Sequence, residues 1–138
     1  GGVAVRPGIH CQPEDRHKFC SAWQDLTWEK RWPMLKAMAL EHDPDIIGLQ
    51  ELDLLDDERA GSRRRDLQIK REFEKAGYEG VVYKKQGRAC DGVGLFWRKS
   101  RLRRAGDFVP WQLKPSVMVA LAQKLWLDGK HMLTAVTT

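Results

Sequence analysis

Asp43-Pro44-Asp45-Ile46-Ile47-Gly48-Leu49-Gln50-Glu51-Leu52-Asp53 carries the clearest structural signal in the chain. Asp43-Pro44 stops a helix, because a residue that precedes proline avoids the helical region. Asp45 to Gln50 is short and almost wholly apolar, which predicts a strand buried on both faces. Glu51 follows directly, at the carboxyl end of that strand, where α/β sheets place their ligand sites. A carboxylate there can hold a hard cation such as Mg²⁺, which takes one or two protein carboxylates and fills its shell with water and substrate phosphate. The residues alone equally allow a solvated strand end or a helix cap.

Upstream, Trp28, Trp32, Leu35 and Ala39 recur at helical spacing, with Thr27 as a candidate N-cap. Pro33 conflicts with that start, since an internal proline removes a backbone bond, so a start near Pro33 is the alternative. Residues 1–22 have no periodicity and are expected to be an irregular segment ahead of a domain over 23–138. Downstream, 52–64 reads as a charged loop and Arg65–Ala76 as a second helix ended by Gly77. Val81–Tyr83 and Val93–Trp97 read as strands, and Val117–Leu127 and His131–Thr137 as two more joined by Asp128-Gly129, a strong hairpin signal. The order predicts an α/β layer arrangement, with helices on one face of a mixed sheet.

The 138 residues hold 24 basic and 19 acidic side chains, a net charge of +5. The charge is split: residues 1–62 carry 7 basic and 12 acidic groups, and residues 63–138 carry 17 and 7. A basic half attracts phosphate-bearing partners such as nucleotides or RNA, although charge runs also serve simply as solvated faces. No apolar run approaches the ~18 residues of a membrane span. Composition excludes collagen, a disulfide scaffold and a disordered chain. Three cysteines, Cys11, Cys20 and Cys90, without close pairing suit a reducing, intracellular compartment, cytoplasmic or nuclear. His10, Cys11, His17 and Cys20 lack the short C-x-x-C knuckle and are not read as a zinc site. Of the six tryptophans, Trp28, Trp32, Trp97 and Trp126 lie on predicted apolar stripes or strands and are expected in the core. Trp111, expected in a loop, is the candidate for stacking on a base.

Trp28-Glu29-Lys30-Arg31, the Asp43–Asp53 block, Gly77-Tyr78-Glu79-Gly80 and Asp91-Gly92-Val93-Gly94-Leu95-Phe96-Trp97-Arg98-Lys99-Ser100-Arg101 occur in this order. From Gln24 to Thr138 the chain resembles the endonuclease/exonuclease/phosphatase superfamily, in the branch of the carbon-catabolite-repressor deadenylases, angel proteins and nocturnin. The resemblance implies part of a two-layered β-sandwich with outer helices. It implies hydrolysis of phosphodiester or phosphomonoester bonds of RNA or nucleotides, dependent on Mg²⁺ or Mn²⁺. Glu51 falls on the family's metal-binding glutamate, and Asp91 falls on a block near the site. Asp91 and Trp111 are the candidates for substrate binding.

The sequence also departs from that pattern. It contains no asparagine, although the family places one at the end of an early strand. It contains no Thr-His-Leu, Gly-Asp-x-Asn or Ser-Asp-His block. His10, His17, His42 and His131 do not fall on the family's histidine positions. The chain is therefore expected to be the N-terminal part of a longer enzyme. The alternatives are a catalytically inactive RNA- or nucleotide-binding derivative and a fragment without function.

Overall fold

A computed structural model of the chain describes residues 27–54, 65–86, 91–114 and 118–138. The expected irregular segment 1–22, the cysteines and Arg63-Arg64 lie outside those residues. The chain forms two compact units, Gly1–Asp43 and Pro44–Thr138.

In the first unit the described element is helix α1, Trp28–Leu40. It starts at Trp28 rather than near Pro33, and keeps Pro33 inside. The Thr27 carbonyl accepts from Arg31 N at 3.0 Å, so the first turn is closed before the proline is reached. Trp28 and Trp32 are buried and stack, with ring centroids 5.2 Å apart. Leu35, expected on the same stripe, is exposed.

The second unit is a sandwich of two antiparallel sheets. The first sheet holds β1 (Ile46–Asp53), β2 (Tyr78–Lys84) and β3 (Asp91–Arg98), in the order β1-β3-β2. The second is built on β6 (Met118–Leu127). On one side β6 pairs with β4 (Leu102–Arg104) and β5 (Val109–Lys114), and on the other with β7 (His131–Thr137). The expected mixed sheet is thus corrected. Helix α2 (Arg65–Lys75) does lead from β1 to β2, but β3 inserts between those strands and runs antiparallel to both.

The strand buried on both faces is β3, not β1. Val93, Leu95 and Trp97 join Val81 against Leu102, Val119, Leu121, Leu125 and Ala135 of the facing sheet. On the opposite face Phe96 stacks on Phe73 of α2, centroids 4.3 Å apart, and Phe73 meets the Tyr78 ring edge-on. β1 is half-open because only β3 pairs with it among the described residues. Its Gly48, Gln50 and Glu51 are exposed.

Two tight joints fix this packing. At one end of the first sheet, Tyr78 Oη donates to the Pro44 carbonyl at 2.6 Å and accepts from Arg98 Nη2 at 2.9 Å. Arg98 and Arg101 also pair with Asp45. At the other end, a Cβ on Gly92 would fall 2.8 Å from Lys84 Cα and would clash with the Tyr83 carbonyl. Only glycine lets β2 approach β3 there.

Two short strands, β4 and β5, were not expected from sequence. They line one edge of β6 and are separated by 105–108, where the ladder breaks. The buried Gln123 fills the break, donating from Nε2 to the carbonyls of Gly106 (3.2 Å) and Lys124 (2.8 Å). The β6–β7 hairpin forms where Asp128-Gly129 stands, with both residues at positive φ, and Lys130 adds a third loop residue. No helix among the described residues is long and apolar enough to cross a membrane.

Candidate active site

Leu49 pairs with Gly94 and Leu52 with Gly92, so β1 carries one residue more than β3 across this interval. Gln50 and Glu51 together oppose Val93, which makes a β-bulge. Glu51 takes φ 49°, in the left-handed region that a residue with a Cβ seldom occupies. Such a conformation costs on the order of 1–2 kcal/mol and bulges commonly re-aim a side chain beside a functional site. Among the described residues, no cation pairs with the exposed Glu51 carboxylate.

Replacing Glu51 with glycine removes the left-handed penalty, partly offset by the greater freedom of glycine in the unfolded chain. Glu51→Gly is therefore expected to stabilise the fold by about 0.5–1 kcal/mol. Urea denaturation monitored by circular dichroism reads this directly; a destabilised variant would mean that Glu51 contributes to folding rather than to a site.

Asp91 opens β3 directly across from Asp53, on the same face of the strand as Val93. It is held by an ion pair with Lys85, whose backbone N–H also donates to the Asp91 carbonyl at 3.0 Å. Asp53 pairs with Arg65 at 2.7 Å, at the first residue of α2. The end of β1, the residue after β2, the start of β3 and the start of α2 thus place three carboxylates, an ammonium and a guanidinium at one end of the first sheet. Two of the carboxylates are neutralised locally, and among the described residues Glu51 is not. The second sheet reaches β1 at Gly48, where a Cβ would lie 3.3 Å from Oγ1 of the buried Thr137.

The structure brings Glu51 and Asp91 to the same end of one sheet. It does not bring Trp111 to them. Trp111 lies on strand β5 rather than in a loop, and it faces away from the core of the second sheet. Trp126, expected in the core, is also exposed, because its position on β6 alternates with the buried Leu125. Sequence reasoning missed Lys85 and Arg65 as partners of the two aspartates. Among the described residues, no three histidine, cysteine, aspartate or glutamate side chains gather closely enough to form a metal cluster.

No protein-family model matches the sequence, and no curated protein matches it. Solved structures do match. The human nocturnin catalytic domain with bound sulfate shares 23% identity at a TM-score of 0.64, over 80% of this chain and 42% of that one. ANGEL2, a 2′,3′-cyclic phosphatase, shares 19% at 0.64, over 82% of this chain and 32% of that one. In complex with adenosine-2′,3′-vanadate, ANGEL2 shares 20% at 0.67, over 89% and 36%. These likenesses show the fold: the described sandwich is part of the endonuclease/exonuclease/phosphatase fold, as the motif resemblance implies. The chain spans less than half the length of each of these three structures.

Proposed function

We propose that this chain belongs to the phosphoesterases of that fold and supplies the metal-binding carboxylate of their site. The observation that supports this reading is Glu51: an exposed carboxylate on a strained bulge, unpaired among the described residues, at the position the motif resemblance assigns to the metal ligand. A single free carboxylate fits a Mg²⁺ or Mn²⁺ ion that draws its remaining ligands from water and phosphate. When bound, such an ion neutralises a phosphoryl oxygen and lowers the pKa of a coordinated water.

The chain's own residues then have separable roles. Glu51 holds the cation. The Lys85–Asp91 pair keeps a positive group beside the site without leaving it unpaired, so Lys85 can turn to a substrate phosphate when one arrives. Asp53 and Arg65 anchor α2 to the end of β1 and hold the bulge in register. No histidine of this sequence falls on the family's base position, so these 138 residues bind a nucleotide phosphate without hydrolysing it.

Equilibrium dialysis of adenosine monophosphate against the chain tests the reading. Retention that requires Mn²⁺ supports it. Retention that is equal with and without Mn²⁺ would instead favour an RNA- or nucleotide-binding derivative with no metal. Mg²⁺-dependent cleavage of oligoadenylate by the chain, lost in Glu51→Ala, would show that the residues present suffice for the chemistry.

A further inference from the structure

Leu49 and Leu52 are three residues apart, so a regular strand would turn them to opposite faces. Here they share one. A Cβ on Gly94 of β3 would lie 3.6 Å from Leu49 Cβ and 3.0 Å from Leu52 Cδ1. Leu54 follows on the same face, where a Cβ on Gly92 would lie 2.8 Å from its Cδ1. Leu52 and Leu54 are both buried. The extra residue of the bulge is what brings leucines from its two sides onto one face. Among the described residues, the glycines at positive φ are Gly77, Gly106 and Gly129, so Gly94 meets no backbone demand for glycine. A glycine inside a strand weakens it and marks a close approach. What Gly94 admits is the Leu52 side chain. It does so beside the Phe96 ring, whose Cε2 would also lie 3.0 Å from an added Cβ and which is held by stacking on Phe73.

We propose that Leu52, seated on Gly94, is a positioning residue for Glu51. Leu52 sets the bulge, and the bulge sets the backbone that aims the neighbouring carboxylate. Relaxing the bulge to regular pairing would turn Leu52 and Leu54 off the glycines and onto the other face. Burial of these leucines therefore opposes relief of the left-handed backbone at Glu51. The Asp53–Arg65 ion pair ties the next residue to α2, and Leu52 is the link between that tie and Glu51. The functional consequence rests on the reading of Glu51 as the ligand of a cation.

Isothermal titration of the full 138-residue chain with Mn²⁺ tests the proposal, at a temperature where thermal melts show each variant folded. Backbone ¹³C chemical shifts of Glu51 report in parallel whether its left-handed conformation persists. Leu52→Ala empties the seat and Gly94→Ala fills it. Each should weaken Mn²⁺ binding roughly tenfold, the low end of what loss of a ligand-orienting partner costs, and should shift the Glu51 signals. Adding Leu52→Val to Gly94→Ala removes the Cδ1 that the new methyl meets, and should recover most of the affinity. Leu125→Ala opens a cavity among the core residues of β6 and should lower the melting point while leaving affinity and Glu51 signals unchanged. The proposal is overturned if Leu52→Ala and Gly94→Ala bind Mn²⁺ as wild type. It is also overturned if Leu125→Ala weakens binding as much as they do, which would reduce the effect to lost stability. Should the wild-type chain bind no Mn²⁺, the reading of Glu51 as a ligand fails by itself. The Glu51 signals then decide this inference alone: a shift in both Leu52→Ala and Gly94→Ala supports it, and unchanged signals overturn it.

Discussion

Glu51→Gln lowers the Mn²⁺ affinity of the chain at least ten- to hundredfold, the range seen even for groups that only support a metal's ligands. The substitution preserves size and removes the charge. Its effect on folding should be small, because the side chain is exposed and makes no ion pair among the described residues. Isothermal titration with Mn²⁺ gives the affinity, and a thermal melt of the same sample shows whether the fold is intact. The Glu51→Gly variant sharpens the comparison. It should bind metal as poorly as Glu51→Gln while folding more stably than wild type, because the left-handed backbone at φ 49° then suits the residue. A group whose removal abolishes binding and raises stability holds strain for function rather than for structure.

Trp97→Ala should have the largest effect on stability. Trp97 is fully buried between the sheets, among Val93, Leu95 and the leucines of β6. Removing such an indole leaves a cavity, and Phe or Trp to Ala in a core costs about 3–5 kcal/mol. A domain stable by ~5–15 kcal/mol loses much of its margin, and its melting point falls by ~15 °C or more. Trp97→Phe should lose far less. It keeps most of the volume and removes an indole N–H that has no hydrogen-bond partner among the described residues. Trp126→Ala, on the exposed face, should change stability by within about 0.5 kcal/mol. Circular dichroism melts of the three variants check this ordering. Equal losses at Trp97 and Trp126 would contradict the placement of the core.

The contrast between these tryptophans shows what the sequence could and could not convey. Trp97 lies in a run of apolar residues, so either face of its strand predicts burial. Trp126 lies in a shorter apolar run, Leu125–Leu127, with Gln123 and Lys124 just upstream on its two faces, and only the burial of Leu125 with Gln123 shows that the face shared by Lys124 and Trp126 is outside. Helix α2 was legible because Ile69 and Phe73 are one turn apart and Gly77, at φ 91°, ends it. The two antiparallel sheets were not legible from element order, because insertion of β3 between β1 and β2 is a long-range choice. The strands β4 and β5 escaped for a local reason: Pro110 and the charged Arg103-Arg104 read as loop residues, yet both strands lie on an edge where such residues are tolerated.

The candidate site was half legible. Glu51 stood out as a carboxylate at the end of an apolar strand, and the motif blocks added weight to it. The bulge also left a trace. Leu49 and Leu52 are separated by two polar residues, a break in the two-residue period that one extra residue absorbs, so that both leucines lie over the glycines of β3. The ion pairs of Lys85 with Asp91 and of Arg65 with Asp53 had no such trace, since they join residues whose proximity depends on the β2–β3 and β1–α2 connections.

The central claim is that Glu51 is a metal ligand. Anomalous diffraction from crystals of the chain soaked in Mn²⁺ tests it most directly. The account predicts an anomalous peak at ~2.0–2.2 Å from a carboxylate oxygen of Glu51, the distance typical of carboxylates on small divalent cations. A peak only at other carboxylates, with Glu51 left unliganded, would contradict it.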